Sequence, residues 1–294
     1  RGGVQTLLVL YIAGGIVYKN SEAGNYMATA TEHIEMPTDL VLRREQDGIA
    51  VLTLNRPSSR NALSRAMMRE LQANLDEIKE NAQIKVVIIA GNGHAFCAGH
   101  DLKEIRKNNR REIFDELLAQ CSKLMTSIVR LPKPVIARVH GIATAAGCQL
   151  VASCDLAIAS KNATFATPGV NIGLFCSTPM VAVSRAVGRK QTMEMLMTGE
   201  EISAGTAQEF GLINRVVSPS ELEFATFDLA KKIASKSPLT VRIGKEAFYK
   251  QLEMDLDSAY RYTSEVMAEN MMAADAQEGI DAFMQKRDPI WKGI

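Results

Sequence analysis

Residues 140–153 read His140-Gly141-Ile142-Ala143-Thr144-Ala145-Ala146-Gly147-Cys148-Gln149-Leu150-Val151-Ala152-Ser153. They follow Pro134 to Val139, a short apolar run that reads as a buried strand, and they open a helix. A strand that feeds a small-residue turn and then a helix N-terminus presents backbone N–H groups to negative charge. A second stretch has the same character. Gly91-Asn92-Gly93-His94-Ala95-Phe96-Cys97-Ala98-Gly99-His100-Asp101 follows the apolar strand Lys85 to Ala90. Two such turns can aim two N–H groups at one developing oxyanion. Neither is a nucleotide fingerprint: Gly91-Asn92-Gly93 is not followed by a glycine at position 96, and residues 141–147 lack the Lys-Ser/Thr of a phosphate loop.

Outward from these turns, Leu40 to Glu45 and Ile49 to Leu54 flank Gln46-Asp47-Gly48 and predict a hairpin, because Asp-Gly favours a tight turn. Ser64 is placed to cap a helix in which Met67, Leu71, Leu75 and Ile78 recur at helical spacing. Ile113, Leu117, Cys121, Leu124 and Ile128 mark another amphipathic helix, closed by Pro132. Asp155 to Ala159 is a further short apolar strand. Strands alternating with helices predict an α/β fold, and periodicity alone suggests a doubly wound sheet. From about Ser203 the pattern is mostly helical. Ser237-Pro238 reads as a cap followed by an N-terminal proline, and Asp275 with Glu278 reads as a capping box. Val266, Met267, Met271, Met272, Ile280 and Phe283 give these last helices apolar surface that calls for cover from a partner.

The chain has 294 residues, enough for one sizeable core and an appendage. Its formal charge of +1 excludes a global field that would draw in nucleic acid or a membrane surface. Five cysteines, at 97, 121, 148, 154 and 176, form no C-x-x-C pair and sit mostly in apolar runs. That pattern predicts reduced, buried thiols rather than disulfides or a metal site. Leu7 to Val17 is mostly apolar but shorter than the ~20 residues a membrane span needs. It reads as an h-region, part of a targeting segment, or translated upstream sequence, with Met27 as an alternative start. Three segments are expected: an N-terminal extension over 1–38, targeting or disordered, a core over 39–230, and a helical region over 231–294.

Six ordered motifs carry a resemblance. They are Asn55-Arg56-Pro57 with Asn61-Ala62-Leu63, Ala95 to Lys103, Pro132 to Ala137, Cys154 to Ala159, Phe165-Ala166-Thr167-Pro168, and the tail Phe283 to Arg287. Together they resemble the enoyl-CoA hydratase/isomerase (crotonase) family, over roughly Asp39 to the end. The resemblance implies a spiral of strand-strand-helix units forming two sheets, then a helical C-terminal trimerisation region. It implies a homotrimer, often paired into a hexamer. It also implies lyase-type chemistry on acyl-CoA in fatty acid metabolism, with coenzyme A thioester as ligand and no tightly bound cofactor or metal. The compartment would be cytoplasmic in a bacterium and the mitochondrial matrix in a eukaryote.

By the same resemblance, the oxyanion donors are the backbone N–H groups of His100 and Ala146. Backbone around Ala98 and Leu102 would hold the adenine, with Arg56 and Lys103 as nearby cations. Phe283 and Lys286 would close the CoA site of a neighbouring subunit. Hydratases of the family use two glutamates, and at those positions this chain has Gln149 and Gly169. Cys176 and Ser177 occupy the place where other members carry an acid. The chain thus has the family's oxyanion turns without its usual acids. The His100 ring is read as lying at the surface, with only its N–H at work. Asp101 is read as structural, His140 as packing, and Cys148 and Cys176 as inert thiols. Two readings stay open: an acyl-CoA enzyme, whose reaction could be decarboxylation of a malonyl-type thioester, and a non-catalytic acyl-CoA-binding member.

Overall fold

The computed structural model describes residues 8–12, 15–19, 39–107 and 109–294. The chain divides into two compact units, 1–38 and 39–294. In the first, β1 (Leu8–Ile12) pairs antiparallel with β2 (Gly15–Lys19). The alternative start at Met27 and the lead-in after it lie outside the described residues.

The second unit opens with the expected hairpin. β3 (Val41–Gln46) and β4 (Ile49–Leu54) pair antiparallel, and Asp47 and Gly48 both take positive φ, 54° and 75°, as a two-residue turn requires. Ser64 caps α1 (Arg65–Glu80) by accepting the Met67 N–H at 3.2 Å. Further on come β5 (Val86–Gly91), β6 (Ala95–Cys97), α2 (Leu102–Lys107), α3 (Arg111–Arg130), β7 (Val135–Val139), β8 (Ile142–Thr144) and α4 (Ala146–Ser153). β9 (Leu156–Ser160), β10 (Thr164–Ala166), a 3₁₀ turn at Pro168–Ile172, α5 (Pro179–Ala186) and α6 (Arg189–Thr198) follow. The chain continues with β11 (Ile202–Ser203), α7 (Ala204–Glu209), β12 (Arg215–Val217) and α8 (Leu222–Ala234), and ends in α9 (Pro238–Gln251), α10 (Leu256–Met272) and α11 (Ala274–Gln285).

The strands of the second unit form two sheets rather than one doubly wound sheet. Six lie in the order β12-β9-β7-β5-β4-β3, parallel except for the β3–β4 hairpin. Four lie in the order β11-β10-β8-β6, where only β11 is antiparallel. The second sheet escapes periodicity because β6, β8 and β10 have three residues each. The six-stranded sheet is covered on both faces. Val87 and Ile89 join the core with α1 and α3, whereas Val86 and Ile88 pack against Ala230 and Ala234 of α8. Burial on both faces is why β5 is continuously apolar.

Lys245 of α9 is buried and donates to Asp155 Oδ2 at 2.7 Å and to the carbonyls of Ile128 and Lys133 at 3.0 Å each. Tyr249, one helical turn on, donates to Asp155 Oδ1 at 2.9 Å, and the Val135 N–H donates to Oδ2 at 2.7 Å. One carboxylate thus ties α9 to the start of β7. Burial lowers the Lys245 pKa, opposed by Asp155. The capping-box reading of Asp275 and Glu278 is corrected. α11 starts two residues earlier than that box requires, its N-cap Ala273 offers no side-chain bond, and Asp275 is buried. Asp275 instead accepts Ser237 Oγ at 2.6 Å and the Lys292 and Gly293 amides at 2.7 and 3.0 Å. Met267, Met271, Met272, Ile280 and Phe283 are exposed on the terminal helices of the chain.

Candidate active site

The first turn is braced on two sides. Leu63 N–H donates to the Gly99 carbonyl at 2.7 Å, and Ala98 N–H donates to the Arg60 carbonyl at 3.0 Å. Leu63 and His100 form an isolated parallel bridge. Leu63 thus bonds the residue before His100, and the N–H of His100 itself makes no backbone hydrogen bond among the described residues. Asp101 holds the other side. Its Oδ2 accepts Arg56 Nη1 at 2.6 Å, and its Oδ1 accepts the Lys103 and Glu104 amides at 3.0 and 3.2 Å. Burial would raise the Asp101 pKa, but these donors outweigh it and hold the carboxyl below the usual range. Asp101 is therefore a capping carboxylate for α2, as its sequence position suggests.

The second turn carries backbone strain. Ala145 sits at φ 51° and ψ −118°, a conformation that L-residues rarely adopt. It is held by its N–H, which donates to the Ala166 carbonyl at 2.9 Å, and by its carbonyl, which accepts the Gln149 N–H at 3.0 Å. Ala146 then begins α4, and its N–H is one of the first-turn donors that intrahelical bonding leaves free.

The two turns meet at Gly99, where φ is +86°. A Cβ there would stand 2.9 Å from the Ala145 Cβ, 3.0 Å from the Thr144 carbonyl oxygen and 3.2 Å from the Ala146 nitrogen. Gly147 abuts Cys97 so closely that a Cβ would overlap the Cys97 carbonyl oxygen. Glycine at these two positions lets the β6 backbone and the α4 N-terminus touch. The residue before His100 and the amide of Ala146 are thereby brought within one methyl group of each other.

The positions that the resemblance assigns to acids hold no carboxylate. Gln149 is buried and its Oε1 faces the Cys121 thiol at 3.9 Å. Gly169, in the 3₁₀ turn, is buried beneath the Leu174 carbonyl and the Cys176 thiol. Burial pushes the thiols of Cys97, Cys121 and Cys148 up to about 12. Burial also raises Cys176, against a hydrogen bond with the Gly169 backbone. None of these thiols is a ready thiolate near neutral pH. Ser177 is exposed, its hydroxyl turned to the Phe175 carbonyl. His140 is half-buried and bonds the Gly93 carbonyl through Nε2 at 2.9 Å, joining the two turns at their base.

The surface reading of the His100 ring is corrected. Both ring nitrogens are buried, and neither makes a hydrogen bond of ordinary length and angle among the described residues, the Leu63 carbonyl offering only a weaker approach. Burial lowers its pKa, opposed by the Leu63 carbonyl and Glu104, so the imidazole is favoured in its neutral form.

The residues suggested for CoA fall in two stretches, around the Asp101 turn and at the end of α11. Ala98 is half-buried behind the turn, Leu102 and Lys103 are exposed on α2, and Arg56 is engaged by Asp101. Phe283 and Lys286 are exposed at the end of α11, which packs on α9 and α10. Among the described residues, no cluster of three or more His, Cys, Asp or Glu side chains is arranged for a metal. No described helix is long and apolar enough to cross a membrane.

Two residues of the site have no role in the sequence reading. Asn61 is quoted there only as part of a motif, and the strain at Ala145 is invisible in a run of small residues. The signal for Asn61 is its residue type, since asparagine tolerates a left-handed backbone and its φ is 53°.

Comparison with known proteins adds the family. A model described as enoyl-CoA hydratase/isomerase matches residues 44–294. The chain is 52% identical over 248 residues to human enoyl-CoA hydratase domain-containing protein 3, mitochondrial, covering 84% of this chain and 82% of that one. The solved structure of that human protein superposes with a TM-score of 0.84 at 51% identity, over 86% of this chain and 100% of the other. An enoyl-CoA hydratase structure from Mycobacterium smegmatis gives a TM-score of 0.84 at 52% identity, over 86% and 98%.

Proposed function

The chain belongs to the enoyl-CoA hydratase/isomerase family, and we propose that it binds a coenzyme A thioester and polarises the thioester carbonyl with the N–H groups of His100 and Ala146. The observation that carries this reading is the contact of the two turns, with Gly99 pressed against Ala145 and the Ala146 amide. Two preorganised donors favour a carbonyl oxygen that gains negative charge, as in an enolate or a tetrahedral species. Losing one such donor typically costs ~3–4 kcal/mol of transition-state stabilisation. The methyl of Ala146 leaves that N–H in place.

The reaction is the finer question. Hydration needs groups that give and take protons around a water. Gln149 can orient a water but cannot take a proton, and Gly169 has no side chain. Decarboxylation of a malonyl-type thioester suits this equipment. The bond between the α-carbon and the carboxylate breaks, carbon dioxide leaves, and the electron pair moves into the enolate that the two N–H groups hold. Water then protonates the α-carbon, so no protein base is required. The absent glutamates favour a second reading, in which the protein holds acyl-CoA without turnover.

In this account Ala98 and Leu102 backbone receives the adenine, and Lys103 and Arg56 serve the phosphates. Phe283 and Lys286 complete a neighbour's site in a homotrimer or a pair of trimers. The exposed apolar side chains of α10 and α11 supply surface for that assembly. The human relative's name places it in mitochondria, which supports a matrix location if this chain is eukaryotic; a bacterial chain would be cytoplasmic.

Calorimetry with a CoA thioester and the matching free acid tests the reading. The thioester is expected to bind and the acid not to. Equal affinity for the two would remove the basis of the proposal. Assaying enoyl, hydroxyacyl and malonyl-type thioesters then separates an enzyme from a binding protein, since binding without product across all three supports the second.

A further inference from the structure

We infer that Asn61 is a positioning residue that sets where the His100 N–H points, an inference that rests on the reading of that N–H as a thioester donor. Asn61 is fully buried. Its Oδ1 accepts the Arg56 N–H at 2.8 Å, and its Nδ2 donates to the Asn92 carbonyl at 2.8 Å and to the Ala95 carbonyl at 2.7 Å. Both amide hydrogens and one oxygen lone pair are therefore spent on backbone from two separate segments.

Those segments lead straight to the donor. Asn92 lies in the turn after β5, and Ala95 begins β6, which runs to Cys97 and then to Ala98, Gly99 and His100. On the other side, residues 60–63 form a rail beside that strand end, through the Arg60–Ala98 and Leu63–Gly99 bonds. Asn61, itself on the rail, has a side chain that bonds both Arg56, just before the rail, and the segment resting on it, at Asn92 and Ala95. Its chemistry is specific. Aspartate has the acceptor without the donors, and leucine has the bulk without either. The left-handed φ of 53° is one that asparagine adopts more readily than most residues. Arg60 before it is also left-handed, at 51°, so the rail makes a sharp return that local propensity alone does not enforce.

The role differs from ordinary core packing in what it controls. A packing residue changes stability. A residue that orients a donor changes how strongly the bound carbonyl is polarised, and a misplacement of about 1 Å is enough to cost ~100-fold in rate.

The test uses the full chain with acetyl-CoA labelled at its carbonyl carbon. Infrared difference spectra report the carbonyl stretch of the bound thioester, and calorimetry reports its affinity. The wild type is expected to lower the stretch relative to free acetyl-CoA. Asn61→Gly keeps the left-handed backbone accessible and removes all three bonds. It is expected to bind within about threefold of the wild type, because its neighbours still supply the CoA contacts, while losing at least half of the carbonyl shift. If Asn61→Gly melts too low to assay, Asn61→Asp is read the same way, since it keeps the acceptor and loses both donors. A folded variant that retains the full shift overturns the role of Asn61 and leaves the functional reading intact. A wild type that binds acetyl-CoA with no shift overturns both.

Discussion

Gly169 lies directly against Cys176: a Cβ on the glycine would stand 3.0 Å from the Cys176 Sγ and 3.2 Å from its amide nitrogen, with the Leu174 carbonyl oxygen at 2.8 Å. Its φ is not in the left-handed range, so the constraint is space and not backbone angle. On the proposed reading, in which Gly169 stands where family hydratases carry a glutamate, that position is closed by the backbone that follows it. The absence of an acid would then be built into the local packing and be more than a single substitution.

Gly169→Glu is accordingly expected to displace residues 174–176 and to lower the free energy of unfolding by about 1–3 kcal/mol, the overpacking range. Gln149→Glu places a carboxylate beside the Cys121 thiol in a buried site and is expected to destabilise as well. The double variant should not gain hydratase activity. A double variant with wild-type stability and a large rise in crotonyl-CoA hydration would show that the pocket has room the packing denies.

Ala145→Gly should stabilise the protein. Relief of the positive φ at Ala145 is worth about 1–3 kcal/mol, against a glycine entropy cost of about 0.5–1 kcal/mol. The net expectation is a gain near 1 kcal/mol in urea unfolding. A loss of more than 1 kcal/mol would mean that the Ala145 methyl, packed against Gly99, outweighs the strain.

Lys245→Met leaves Asp155 buried without its cation. Removing one partner of a buried pair costs about 3–5 kcal/mol, and Lys245 also holds two carbonyls. A change below 1 kcal/mol in the same unfolding experiment would show that Tyr249 and the Val135 amide suffice to hold the carboxylate.

His100 sets part of the acid sensitivity. Its native pKa is depressed, so below its ordinary value of about 6.5 the unfolded chain binds a proton that the native chain refuses. Its stabilising contribution is complete above that value and is lost as pH falls toward the depressed native pKa. His140 is lowered too and acts with the same sign. The carboxylates of Asp101 and Asp275, also depressed, lose their contribution only at lower pH. His100→Leu should therefore flatten the fall in stability that sets in below about pH 6.5 and leave the later fall in place. An unchanged slope in that window would show that the ring is not held neutral by the fold.

Most of the core fold was legible because its signals are local. The Asp47-Gly48 turn, the Ser64 and Ser237 caps and the spacing of Met67, Leu71, Leu75 and Ile78 each follow from a few neighbouring residues. The four-stranded sheet was not legible from periodicity, since three-residue strands carry no period; the resemblance supplied it. Asp275 was misread because its partners, Lys292 and Gly293, are distant in sequence and bond it through backbone amides, which no side-chain pattern announces. The same holds at the site. His100 and Ala146 are proposed as donors through the motifs around them. The burial of the His100 ring, the closure over Gly169 and the three bonds of Asn61 depend on how separate segments pack.

The central claim is that this site polarises a thioester carbonyl without carboxylate acid–base assistance. The most direct measurement is the rate of crotonyl-CoA hydration by the wild-type chain beside a family hydratase that carries both glutamates, with crotonyl-CoA binding measured in the same samples. General acid–base assistance contributes ~100- to 10,000-fold. The account predicts that crotonyl-CoA binds and that hydration is slower by at least the lower of those factors. Hydration at the rate of the comparison enzyme would contradict it, because some group not identified at Gln149 or Gly169 would then be moving the protons.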